Sequence, residues 1–172
     1  PMPGRTQYPT TAFAKDERYS AKLGYMPELY GAYNGVEVGN EDELTLNFVS
    51  NLLSNSMQIG LLDQLTLDNK LMYAVAANDA RRDQGRVLVI AVPYMDAQTQ
   101  SYTSLKETEQ LVMAEVEKLV NGDIDPELVE MVRQNFYQEY DRTMEYPQMK
   151  VSLLYSAFSY NQSIDEVLRQ KE

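Results

Sequence analysis

Residues 70–93 read KLMYAVAANDARRDQGRVLVIAVP, and this segment contains the strongest strand signals of the chain. Leu71–Ala77 and Val87–Val92 are apolar runs of strand length, and β-branched residues dominate the second run. The polar segment Asn78–Gly85 between them suits the long loop of an antiparallel hairpin. Because Val87–Val92 is almost wholly apolar, we expect it to be a central strand that is buried on both faces of its sheet.

Helical patterns lie on both sides of this hairpin. Upstream, Leu44, Phe48 and Leu52 recur every four residues, which predicts an amphipathic helix. Downstream, Ser104–Glu107 has the pattern of a capping box, and Asp125–Glu127 combines an N-cap acid with Pro at the first helical position. The predicted helices cover residues 42–55, 104–120, 126–144, 148–160 and 163–172.

Strands followed by long helices predict an α+β fold, in which helices pack on an antiparallel or mixed sheet of about three to five strands. Residues 1–18 contain three Pro and show little apolar periodicity, so we expect a lead-in segment there. Residues 19–172 are predicted to form a single αβ domain that is an excised fragment of a larger protein. A chain of 172 residues has the size of one ordinary domain.

Composition excludes most kinds of catalytic site. The chain contains no His and no Cys. It therefore lacks the usual zinc ligands and cannot build a Ser-His-Asp or Cys-His catalytic group. We expect no catalytic residue, no metal ligand and no cofactor in this chain. The absence of Cys also leaves the redox compartment undetermined.

Net charge and the length of the apolar segments argue against two classes of partner. The formal net charge is −11, whereas nucleic-acid binding requires clustered Lys and Arg. Residues 103–145 carry 11 Asp and Glu against 4 Lys and Arg, a net of −7, which is typical of solvated helix faces. No segment approaches the ~20 consecutive apolar residues that span a bilayer. We therefore predict neither a nucleic-acid partner nor a membrane partner.

Two other patterns have a structural and a functional interpretation. Asp123–Glu127 alternates oxygen ligands as a calcium loop does, but it lacks the central Gly and the distal Glu, and a helix start fits it better. Aromatic residues are concentrated late in the chain, where they form either packing surfaces or a recognition platform. They are Phe136, Tyr137, Tyr140, Tyr146, Tyr155, Phe158 and Tyr160.

The order of these elements resembles the insulinase/pitrilysin-like zinc metallopeptidases, also called inverzincins. The resemblance extends over about residues 20–172 and includes the Leu61–Leu65 segment, the Lys70–Ala77 strand and the Gly85–Pro93 strand. The most specific part is Ser104–Glu107 followed by Val116–Leu128, which is similar to the helix–Gly–Glu-Leu–helix junction of the family.

The resemblance implies a division of labour between domains. One domain of such enzymes carries a His-x-x-Glu-His motif that binds zinc, and its sister domains lack the motif and close the substrate chamber. Without His, this chain corresponds to a metal-free domain. The resemblance therefore implies an accessory domain that helps to enclose and bind a peptide substrate. Its expected partners are that peptide and the sister domains of the parent peptidase, one of which would hold the zinc.

One position is a candidate for substrate binding. In some members of the family, a metal-free domain supplies an Arg and, seven residues later, a Tyr that contact the substrate. Tyr73 matches the Tyr, whereas the Arg position is occupied by Thr66. Losing the Arg removes the charged donor, so Tyr73 is either a substrate contact or a sheet residue.

Two alternatives remain open at this point. The first is a non-enzymatic scaffold or partner subunit of the same fold. The second is an unrelated α+β binding module whose aromatic cluster forms an exposed platform, which exposure of Tyr137, Tyr140 and Tyr155 would favour. The window 136–160 and the helix predicted at 163–172 are also candidates for self-association of the fragment, because seven aromatic residues exceed what one face of two helices usually buries.

Overall fold

The structure is a computed structural model that describes residues 13–22, 24, 26–160 and 162–168. The strands of this part of the chain are β1 (Leu29–Asn34), β2 (Leu71–Asp79), β3 (Arg86–Pro93), β4 (Met95–Asp96) and β5 (Ser101–Tyr102). The helices are α1 (Glu43–Leu53), α2 (Leu61–Leu67), α3 (Leu105–Asn121), α4 (Pro126–Glu145), α5 (Pro147–Tyr160) and α6 (Ile164–Leu168). The predicted α+β class is confirmed.

The predicted hairpin is β2–β3, and its two strands are antiparallel neighbours, with Val75 opposite Ile90. The three-stranded sheet has the order β1-β3-β2, so β3 is the central strand as expected. The expectation that it is buried on both faces is wrong. Leu88 and Ile90 are only half-buried, because the helices of the described chain pack on one face of the sheet alone.

The side chains that face the helices form the core. Ala74 and Ala76 of β2 lie opposite Ala91 and Val89 of β3, and all four are buried. The α1 and α2 helices bring leucines onto this face, and α3 brings a valine. The core cluster consists of Leu53, Leu62, Leu65, Leu71, Ala74, Ala76, Val89, Ala91 and Val112. We call this side of the sheet the covered face.

Capping explains where the long helices begin. The Ser104 Oγ accepts a hydrogen bond from the backbone N–H of Glu107 at 3.2 Å, and the Asp125 Oδ1 accepts one from Glu127 at 2.9 Å. Each bond satisfies an amide that has no partner inside the helix. Gly122 ends α3 with a φ of 70°, a conformation that costs little without a Cβ.

No helix is predicted from the pattern of residues 61–67, yet α2 forms there. Its position depends on Asp63, which is buried. The Asp63 Oδ2 accepts the backbone N–H of Gly60 at 2.9 Å and that of Asn55 at 3.0 Å. One carboxylate thus fixes the whole connection between α1 and α2.

Several predicted boundaries shift. The first helix begins at Glu43, because the side chain of Asn40 holds the preceding turn by accepting the Asp42 N–H. Of the predicted helix 163–172, the described part is Ile164–Leu168, and the rest lies outside the described residues. The same is true of residues 1–12 of the predicted lead-in. Within the described residues, no helix is long and apolar enough to cross a membrane.

Candidate functional site

The sheet has a second face, which we call the open face, and it carries Tyr73. Residues directly opposite each other in an antiparallel sheet share a face. Val75 of β2, Ile90 of β3 and Tyr30 of β1 therefore form one row across the open face. Ala77, Leu88 and Ala32 form the next row. All six are half-buried or exposed, so the face is a continuous apolar surface.

A β-bulge in β2 lies directly before Tyr73, which shares the open face with Val75 by regular alternation. The register between β2 and β3 shifts between Leu71 and Tyr73, which leaves Met72 as an extra residue. As a result, Leu71 returns to the covered face and is 1% exposed, whereas Met72 and Tyr73 are 44% and 52% exposed. Without the bulge, strict alternation would place Leu71 on the same face as Tyr73.

Two tyrosines flank the apolar rows. Tyr30 lies on β1 in the row of Val75, and Tyr73 lies on β2 one row further along, so two strand spacings and a two-residue offset place their Cα atoms about 12 Å apart. The Tyr30 hydroxyl donates to Glu28 Oε2 at 2.7 Å, and this bond raises the pKa of Tyr30. The Tyr73 hydroxyl has no hydrogen-bond partner among the residues that the structure describes. It is therefore able to donate to a ligand on this face.

One end of the open face is charged. Asp79, Arg86 and Asn34 form the row beyond Ala77. The Asp79 Oδ2 accepts the Nε–H of Arg81 and the Nε–H of Arg86, both at 2.9 Å. These hydrogen bonds hold the pKa of Asp79 below its usual value, and the bond from Arg81 has the larger effect. The apolar rows thus end on a small ion-pair cluster.

The structure does not bring Thr66 and Tyr73, the two positions that the resemblance singles out, together on one face of the sheet. Thr66, which occupies the Arg position of the resemblance, lies half-buried in α2, and α2 packs on the covered face through Leu62 and Leu65. Tyr73 lies on the open face, so Thr66 adds no charged donor beside it. Sequence reasoning singled out Tyr73 but missed Tyr30, whose only signal was its place in an apolar segment.

The aromatic cluster divides into two parts. Phe136 packs edge-on against Phe48 at 6.2 Å between ring centroids, and Tyr137 lies under the Arg133 guanidinium at 5.6 Å. These rings and Tyr140 are half-buried. The remaining four are exposed: Tyr146, Tyr155, Phe158 and Tyr160. The cluster is therefore no single platform, and of the three tyrosines that favour an unrelated binding module only Tyr155 is exposed.

The described residues contain no group of three or more His, Cys, Asp or Glu side chains that could hold a metal ion. Asp125 of the candidate calcium loop serves as the N-cap of α4, as the helix-start interpretation predicts. The open face offers apolar surface, two phenol hydroxyls and the backbone groups of the edge strands β1 and β2.

Comparison with known proteins identifies the family of the chain and a solved structure with a similar fold. The family described as "Peptidase M16 inactive domain" matches residues 2–136. A protease from Helicobacter pylori has a similar structure, with a TM-score of 0.71 and 17% sequence identity over 84% of this chain. The matched region is 34% of that protease, so the chain spans about a third of its length. No curated protein matches the chain. The chain belongs to the peptidase M16 inactive-domain family, which confirms the resemblance to the non-catalytic domains of insulinase-like metallopeptidases.

Proposed function

We propose that this chain is a metal-free accessory domain of a zinc metallopeptidase and that its open face helps to enclose and bind the peptide substrate. Hydrolysis is assigned to a separate His-x-x-Glu-His domain of the parent protein, where zinc-bound water is the nucleophile. The observation that carries this proposal is the apolar open face, on which Tyr73 is 52% exposed and its hydroxyl has no hydrogen-bond partner among the described residues.

We call the open face in this role the chamber wall, and it acts by contacting the peptide and by excluding water. The open rows of Val75, Ile90 and Leu88 offer apolar area, and Tyr73 adds a hydroxyl that can donate to a peptide carbonyl. The outer edge of β2 has no strand partner in the described chain, so an extended peptide can pair with it and contact Tyr73. Closing such a surface over a substrate removes water from the reacting bond.

The charge distribution favours an apolar peptide over a basic one. The acidic stretch 103–145 forms α3 and α4. Val112 of α3 packs into the covered face, and Phe136 of α4 packs on Phe48 of α1, so these helices lie on the side away from the open face. Among the described residues, the open face itself carries charge only at its two ends, in the Asp79 row and in Glu28 beside Tyr30. We therefore assign apolar and aromatic peptide side chains to it.

The partners in this proposal are the peptide and the sister domains of the parent. The exposed rings of α5 are not part of the wall, and we assign them to self-association of the chain. A scaffold subunit of the same fold would present the same apolar face but would bind no free peptide, which makes peptide binding the discriminating property.

A direct test measures peptide binding to the 172-residue chain. Because the chain contains no Trp, the fluorescence of a Trp-containing apolar decapeptide reports on the peptide alone. We expect saturable binding, and we expect Tyr73→Ala to weaken it by roughly 5–30-fold, the effect of losing a contact worth 1–2 kcal/mol.

The matched control is Tyr19→Ala, which removes a tyrosine that is 89% exposed and lies outside the sheet. It should leave the affinity unchanged. Preference for a Lys-rich decapeptide of the same length would instead point to the acidic helices. Absence of binding to any peptide would reject the chamber wall and favour the scaffold.

A further inference from the structure

Positive charge is concentrated at the end of the β2–β3 hairpin, in a chain that is acidic as a whole. Residues 79–86 contain three Arg and two Asp, a net of +1, whereas the whole chain carries −11. Arg82 lies 3.9 Å from Asp83, so these two charges balance each other. The excess positive charge belongs to the arginine cluster, which we define as Asp79, Arg81 and Arg86.

The arginine cluster leaves guanidinium donors unused. The Nε–H groups of Arg81 and Arg86 both donate to the Asp79 Oδ2 at 2.9 Å, and Nη2 of Arg81 lies 2.8 Å from the same oxygen. A guanidinium has five N–H donors, and one carboxylate cannot accept all those of two arginines. Among the described residues, Nη1 and Nη2 of Arg86 have no acceptor. Arg86 therefore presents its outer pair of donors to solvent.

The backbone holds both arginines in place. The Gly35 N–H donates to the carbonyl of Gly85, directly before Arg86, at 3.0 Å, and the Val38 N–H donates to the Arg81 carbonyl at 2.9 Å. A Cβ at Gly35 would lie 2.6 Å from the backbone nitrogen of Arg86, so glycine is needed where the two segments cross. The crossing fixes the start of the Arg86 side chain, and Asp79 fixes its Nε. The guanidinium therefore loses little conformational freedom when it binds a ligand.

The arginine cluster lies where a peptide on the open face would reach it. Asp79 and Arg86 form the row directly beyond Ala77 and Leu88, on the same face as Tyr73. Arg86 is four residues from Ile90 along β3, about 13 Å, which is the length of four residues of extended peptide. The side chains of Arg81 and Arg86 are 61% and 46% exposed, so a ligand has access to both.

The shape of the donors identifies the class of ligand. A guanidinium presents its N–H groups in a planar fork that matches the two oxygens of a carboxylate. A peptide with a free C terminus offers such a group there, and Asp and Glu side chains offer it elsewhere. Glu37 forms a backbone bridge with Arg81, yet among the described residues its carboxylate makes no ion pair with either arginine of the cluster.

We propose that the arginine cluster is a carboxylate-binding subsite at the Asp79 end of the open face. It binds the C-terminal carboxylate or an acidic side chain of a peptide whose apolar side chains lie on the chamber wall. The subsite rests on the proposed peptide binding by the open face, and it adds one anionic group to the apolar side chains assigned there.

A set of three decapeptides tests the subsite. All have the same apolar, Trp-containing sequence and an acetylated N terminus. The first ends in an amide and is neutral, the second ends in a free carboxylate, and the third ends in an amide but carries one Glu near its C-terminal end. We expect a charged peptide to bind roughly 3–10-fold tighter than the neutral one. The net charge of −11 would by itself produce the opposite order, because it repels an anionic peptide.

The two charged peptides distinguish the sources of the carboxylate. Preference for the free C terminus alone assigns the subsite to the end of a peptide chain. Preference for the Glu peptide alone assigns it to acidic side chains, and equal preference for both assigns it to either group.

Substitutions then locate the preference. Replacing both arginines, with Arg81→Gln and Arg86→Gln in one chain, should remove the preference for a carboxylate. Arg86→Lys keeps the charge but loses the planar fork, so it should retain only part of the preference. The matched control is Arg133→Gln on α4, which removes the same charge from an exposed ion pair with Glu130. It should bind the charged peptides as selectively as the unmodified chain does.

The ratio of affinities separates the subsite from the chamber wall. Equal or weaker binding of the charged peptides, with the neutral peptide still bound, overturns the subsite and leaves the chamber wall in place. A preference that survives the double substitution also overturns the subsite, because another group would then hold the carboxylate. Absence of binding by all three peptides overturns the chamber wall and the subsite together.

Discussion

The two faces of the β1-β3-β2 sheet carry similar residues but have different surroundings. On the covered face, Ala74, Val89 and Ala91 are 7%, 2% and 0% exposed beneath three helices. On the open face, Val75 and Ile90 are only half-buried, although they are the immediate neighbours of those residues in the chain. Hydrophobicity alone therefore does not distinguish the face that holds the fold together from the face that the described helices leave open.

The difference shows that one strand can be covered on one face and open on the other. In β3 the residues of both faces are apolar, which is the pattern of a strand covered on both sides. The described helices satisfy one side, and the second side keeps an apolar surface of the kind a peptide or another domain can cover. The proposed chamber wall uses this surface.

The largest effect is expected from substitutions at adjacent positions of β3, one on the covered face and one on the open face. Val89→Asp places a carboxylate in the core cluster and should either unfold the chain or lower its free energy of unfolding by more than about 4 kcal/mol. Ile90→Asp, one residue further on the open face, should cost only about 1 kcal/mol. Urea denaturation followed by circular dichroism measures both.

A second pair of substitutions at the same two positions perturbs the fold less, so the comparison can still be measured if Val89→Asp does not fold. Val89→Thr buries one hydroxyl and should cost about 1–3 kcal/mol, while Ile90→Thr should cost less than 1 kcal/mol. Equal losses at the two positions would mean that both faces are covered in the folded chain, and the open face would lose its proposed role.

The second prediction concerns the turn that keeps the covered face closed. Asp63→Ala leaves the amides of Asn55 and Gly60 without their acceptor and should lower the free energy of unfolding by about 1–3 kcal/mol. The measurement is again the urea midpoint.

The control is Asp68→Ala at the other end of α2, where the carboxylate is exposed and pairs with Lys70. It should change stability by no more than about 0.5 kcal/mol. If the two variants were equally stable, the buried carboxylate would not be what fixes α2 against β2.

The hairpin and the four long helices are predictable from sequence because their signals are local. Ser104 and Asp125 mark helix starts by their own side-chain chemistry, and Leu44, Phe48 and Leu52 mark a helix by spacing alone. The same is true of the turn at Gly122. In the structure these elements begin and end within a few residues of the predicted positions.

What the sequence does not predict depends on contacts between distant segments. The α2 helix has only seven residues, and its position rests on a carboxylate that caps two amides of the preceding loop. The bulge at Met72 is visible only as a register shift against β3. For the same reason, the apolar pattern of β3 cannot reveal that one face stays open. Tyr73 is a candidate by resemblance alone, whereas the position of Tyr30 on the open face follows only from the strand pairing.

The smallest predicted effect concerns the charged end of the open face, through the pH dependence of stability. The pKa of Asp79 in the folded chain lies below its ordinary value of 3.8, because Arg81 and Arg86 donate hydrogen bonds to it. As the pH falls, the unfolded chain therefore binds this proton first. The ion pairs stabilise the fold fully above the ordinary pKa, and that stability is lost as the pH falls through the folded-state pKa.

Asp79→Asn should thus lower the free energy of unfolding by at most about 1 kcal/mol near pH 7, since the groups are partly exposed and screened by solvent. The difference between the variant and the unmodified chain should shrink as the pH falls below about 4. In a background with Arg81→Gln and Arg86→Gln, the same substitution should have little effect at any pH, because the donors are gone. A difference that stays constant between pH 7 and pH 3 would show that Asp79 contributes packing alone, and the open face would then end on a row without electrostatic stabilisation.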